Sequence, residues 1–179
     1  MHSVQPIQAV SSITATGRSR CSKMVATAAE TITATAETIA ATAREMPDAW
    51  EGLVYFLDVI SLRMADNRGF GDLLMDGRFT SDTFARARAG IARHTAVLVN
   101  RAKEQGTLRS DFEVNDIPLL MQVVKMAQKF GGDEAPQAYR RALGFMIDGL
   151  CASRTDHREL PVPALSSEQL DHVLHRFQD

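Results

Sequence analysis

The 179-residue chain is 45% apolar and 23% charged, with a formal net charge of −2. That length holds one domain with a full core and is short for two, and the near-neutral charge does not advertise nucleic acid or an anionic membrane as a partner of the whole chain. Two cysteines, Cys21 and Cys151, stand far apart in no metal-like spacing, which sets aside a disulfide framework and a zinc site and fits a reducing cytoplasm.

Residues 1–23 carry Arg18, Arg20 and Lys23 but no acid, are rich in Ser and Thr, and are interrupted by Pro6 and Gly17. Such a segment buries too little apolar area to offset the entropy of ordering it. It reads as a disordered or poorly structured basic tail in preference to an organelle transit peptide, and no apolar h-region makes it a secretory signal. No run in the chain is long enough to cross a bilayer. Residues 24–179 read as one helical domain.

Met24 to Glu45 is dense in Ala, and Val25, Ala28, Ile32, Ala36, Ile39 and Ala43 share one helical face. The tetrapeptide Ala29-Glu30-Thr31-Ile32 returns seven residues later as Ala36-Glu37-Thr38-Ile39, but two repeats are too few for a coiled coil, so a packed amphipathic helix ended by Pro47 is expected. Asp48 is placed to cap the next helix, with Glu51 as a capping-box partner. That helix runs to about Ala65. Its side chains are apolar nearly all round: Trp50, Leu53, Val54, Leu57, Ile60 and Met64 on one side, Tyr55, Phe56, Val59 and Leu62 over much of the rest. A helix of that kind belongs in the middle of its domain.

A short helix is expected over Gly69 to Met75. Ser81 or Asp82 then caps a long helix lasting to about Gln105, with Phe84, Ala87, Ile91, His94, Leu98 and Ala102 inward and Gly106 as its left-handed stop. Asn115 is the expected cap of the next helix, with Pro118 in its first turn. Ile117, Leu120, Met121 and Val124 form one apolar stripe on it; Leu119, Val123, Met126 and Phe130 form a second. Gly131-Gly132 stops it. Pro136 to Cys151 reads as a further helix, with Tyr139, Leu143, Met146, Ile147 and Leu150 on one face and Phe145 turned away from them. After a loop with Pro161 and Pro163, Ser166 and Gln169 open a final short helix through Phe177. No segment alternates with period two for long enough to be a strand. The expected fold class is all-α, a bundle of about six to seven helices.

Several of these segments together resemble the C-terminal domain of TetR-family regulators of the actinobacterial type. The turn Gly106-Thr107-Leu108-Arg109-Ser110-Asp111 is similar to the family's "G-T-L-R-x-D". Asn115-Asp116-Ile117-Pro118-Leu119-Leu120 looks like the start of the first dimerising helix. Tyr139-Arg140-Arg141-Ala142-Leu143 with Met146-Ile147-Asp148-Gly149-Leu150 is similar to the second. Ala65-Asp66-Asn67-Arg68-Gly69-Phe70 resembles the "A-x-x-R-G-L" segment, and Leu165-Ser166-Ser167-Glu168-Gln169-Leu170 the "L-T-P-E-Q-L" segment. The resemblance covers roughly Met24 to His175. The family's three-helix headpiece, which carries its helix-turn-helix, has no counterpart that can be matched residue by residue. Operator DNA is therefore a partner only if an unrecognised headpiece exists.

The resemblance implies a regulator body, a repressor, that homodimerises and takes a small, largely apolar effector. The dimer would form through the helices over 115–130 and 136–151, with Leu120, Val123, Val124, Tyr139, Leu143, Met146, Ile147 and Leu150 at the contact; the plain alternative is that both are central core helices. The effector would sit between the central and the long helix, among Phe56, Ile60, Met64, Phe84, Ile91 and His94, with Met126 closing one side. Such residues at helical spacing also make an ordinary core, and a ring such as His94 is as readily satisfied by a backbone carbonyl as by a ligand.

An enzyme is the first rival. The chain has no G-x-S-x-G, P-loop or H-E-x-x-H, and Gly69 and Gly71 lack the third glycine of a dinucleotide loop. His172 and His175 beside Asp171 read as a solvated helix end rather than a metal site, and no E-x-x-H pair of the diiron type occurs. No catalytic residue, cofactor, metal or membrane partner is expected. The second rival is a helical dimer without a headpiece, which would bind a ligand or sequester a protein partner without touching DNA.

Overall fold

The computed structural model describes residues 30–32, 34–67, 82–152 and 160–169, apart from the side chains of residues 82–85 and 87. Several expectations lie outside the described residues: the tail over 1–23, the first helix before residue 30, the short helix over 69–75 and the end of the last helix. Among the described residues the chain is helical without strands, in the all-α class expected.

The first helix, α1, runs through residues 34–44, with 30–32 helical before it. Ala36, Ala40 and Ala43 are wholly buried and Ile39 nearly so. Its outer threonines return their hydroxyls to the backbone: Thr35, Thr38 and Thr42 donate to the carbonyls of Thr31, Ala34 and Thr38 at 2.7–2.9 Å. The second helix, α2, spans Ala49–Asp66, and Asp48 caps it as expected, accepting from the Trp50 and Glu51 amides.

The corner between α1 and α2 is held from a distance. Arg101, on the long helix α3 (Asp82–Glu104), donates to the carbonyls of Arg44, Met46 and Pro47. Gln105 donates to Pro47 O at 3.2 Å and accepts from Ala49 N at 2.9 Å. These groups satisfy the carbonyls and the amide that a helix end and a helix start leave open. Gly52 lets α1 come this close, because a Cβ there would stand 2.6 Å from Ala43 O.

Helix α2 packs against α3, α4 (Asp116–Gly131) and α5 (Ala138–Leu150), and so occupies the centre. Its burial is one-sided all the same: Leu53, Phe56, Leu57, Ile60 and Met64 are inside, while Tyr55 and Leu62 join Glu51, Asp58 and Arg63 in solvent. On α3 the buried strip is Thr95, Leu98, Val99 and Ala102, with Ile91 and His94 half-buried. Thr95 and Val99 widen the stripe that the periodicity alone outlined.

Gly106 ends α3 with φ +68°, the left-handed stop expected of it. The chain then doubles back along the end of α5. Leu108 and Cys151 form an isolated antiparallel bridge, with Arg109 N donating to Leu150 O at 3.0 Å and Ala152 N to Thr107 O at 2.9 Å. Leu108 and Phe112 drop into the core from this turn, each 2% exposed.

Two expectations about helix starts are corrected. Asn115 stands at the cap position of α4, but its side chain makes no cap bond there; its Nδ2 instead donates to Leu165 O at 2.8 Å. Helix α5 starts at Ala138 rather than Pro136. The box at the C-terminal side forms as expected: Gln169 Oε1 accepts from Ser166 N at 2.9 Å, and Ser166 Oγ from Gln169 N at 3.2 Å.

Candidate functional site

Helices α2 and α3 place the residues expected to hold an effector. Phe56, Ile60 and Met64 lie one helical turn apart on α2 and are nearly fully buried, at 2–3% exposure. Ile91 packs against the same cluster from α3, and His94 stands half-buried one turn on. The Phe84 side chain lies outside the described residues. Met126 is not with this group: it is 61% exposed on the outer side of α4.

The polar groups at this centre are satisfied internally. Thr95 Oγ1 donates to Ile91 O at 2.9 Å, and the wholly buried Ser61 sends its hydroxyl toward Met121 Sδ at 4.0 Å. Gln128 Nε2 reaches Ser61 O at 3.2 Å and ties α4 to α2. What the surrounding core offers an occupant is therefore apolar contact, with His94 as the nearby ring that can donate or accept.

The hairpin of α4 and α5 carries apolar residues on two sides, and it sorts the residues expected at a dimer contact. Val124, Tyr139, Leu143 and Leu150 are at most 8% exposed and belong to the core of the single chain. Burial also pushes the Tyr139 phenol up. Leu120, Met146 and Ile147 are half-buried at the edge of that core. Val123 is 44% exposed, and it stands with Leu119, Met126 and Phe130 on the outer stripe of α4. Phe130 is 91% exposed and Phe145, on α5, 66%. The Arg141 guanidinium lies 5.0 Å from the Phe145 ring centre, which steadies an aromatic side chain held out in water. Sequence periodicity found both stripes; it left open which of them turns inward.

At the base of the hairpin a polar knot fixes the chain. Arg109 grips both oxygens of Asp111, at 2.5 and 2.8 Å, and its Nη1 donates to Gly149 O at 3.3 Å. Asp111 Oδ2 also accepts from Leu160 N at 3.1 Å. The Arg109 hydrogen bonds, helped by that amide and opposed by burial, hold the Asp111 carboxyl down at about 2. The partner effect raises Arg109. None of this was read from the sequence, where the pair appeared only as part of a turn.

Among the described residues no three His, Cys, Asp or Glu side chains stand close enough to hold a metal ion, and no helix is long and apolar enough to cross a membrane. Residues 47–152 match the family described as the C-terminal domain of SbtR-like transcriptional regulators. Among curated proteins, none matches the chain.

Proposed function

The chain belongs to the TetR-family transcriptional regulators, through an SbtR-like C-terminal domain, and from that premise we propose that it is a regulator body that pairs with a second copy along α4 and α5 and takes a small, largely apolar effector between α2 and α3. The outer stripe of the hairpin carries this reading. Leu119, Val123, Met126 and Phe130 on α4, and Phe145 on α5, are 44–91% exposed, and a stripe of exposed apolar side chains of this kind marks an interaction surface. A twofold-related copy covers such a patch with its own, since an isologous contact needs only one self-complementary surface.

The interface residues in this reading are the outer ones. Val124, Tyr139, Leu143 and Leu150 support them from beneath, in the core, and Leu120, Met146 and Ile147 form the shoulder. The effector side rests on the apolar character of Phe56, Ile60, Met64 and Ile91, with His94 as the polar contact that fixes orientation. An occupant that binds one arrangement of the dimer better than another shifts the population toward it, which is the response a regulator body needs. The reading gives the chain no catalytic step and no cofactor.

Sedimentation velocity of the purified chain tests it. A species of twice the 19.7 kDa chain mass is expected at micromolar concentration, and a single-chain species throughout would sink the dimer reading. Anisotropy of a labelled duplex from the gene's upstream region then separates the two ways such a body can act. Binding that survives physiological salt and competitor DNA means action at the operator; binding lost on adding salt means action through a protein partner.

A further inference from the structure

We draw no further inference here: the strongest candidate, the outer face of α2, where Tyr55 and Leu62 stand exposed beside the acids Glu51 and Asp58, is an unpartnered surface patch, and nothing in the structure shows what covers it.

Discussion

The two sides of the α4–α5 hairpin are built from the same kinds of residue and meet opposite fates. Met121, Val124, Tyr139 and Leu143 are sealed into the core, while Leu119, Met126, Phe130 and Phe145 stand in water. Hydrophobicity alone does not distinguish them. The difference lies in what sits opposite: α2 crosses the inner side, and nothing in the same chain covers the outer side among the described residues. A side chain that is apolar and inside stabilises its own domain, whereas one that is apolar and outside adds little to it and, in the proposed dimer, would stabilise the pair.

That contrast can be broken first from the inside. Truncation of Leu143, 1% exposed, to Ala is expected to cost about 3 kcal/mol, the lost transfer of its buried atoms plus the cavity left behind. Urea unfolding of Leu143→Ala checks it, and a loss under about 1 kcal/mol would mean that the inner side is not packed as described.

The base of the hairpin gives a smaller, pH-dependent effect. The Asp111 carboxyl is held at about 2, below its usual 3.8. A depressed carboxylate stabilises the fold above its ordinary value and loses that contribution as pH falls from about 4 toward 2. With the side chain 34% exposed, solvent screening reduces the contribution to about 1 kcal/mol. Unfolding midpoints at pH 6 and pH 3 are expected to lie closer together in Asp111→Asn than in the wild type. An unchanged pH dependence would show that the Arg109 pair does not hold the hairpin base.

The smallest effect belongs outside. Phe130→Lys places a cation in the last turn of α4, where the helix dipole favours it, and removes a ring that is 91% exposed. Its stability per chain, measured at a dilution where the wild type is also monomeric, is expected to stay within about 0.5 kcal/mol. A loss as large as that of Leu143→Ala would erase the distinction between the two sides.

Signals confined to a few neighbouring residues were legible in the sequence. Asp48 as a cap, Gly106 as a left-handed stop and the Ser166–Gln169 box depend on backbone groups within three or four positions, and the structure has all three. The family and its fold class were also legible, from the order of short motifs. Contacts that depend on distant segments were not. Leu108 and Phe112 sit in a turn, where no periodicity marks them as core. Arg101 reads as one more surface cation until α1 ends beside it. Asn115 has the side chain of a cap, yet Leu165 lies within its reach and takes it. The inward or outward sense of each hairpin stripe is of the same kind, since it is fixed by where α2 crosses.

The bridge between Leu108 and Cys151 gives the hairpin a further property. The chain enters α4 and leaves α5 through this one bridge, closed by the Arg109–Leu150 and Ala152–Thr107 hydrogen bonds, so the forty-odd positions between them form a lobe closed at its root. The far end, residues 132–137, is exposed at every position. Residues gained or lost there lengthen a loop whose closure is already secured elsewhere, and leave the root and the body untouched. Evolution can therefore redraw the tip of this lobe without renegotiating the fold that carries it.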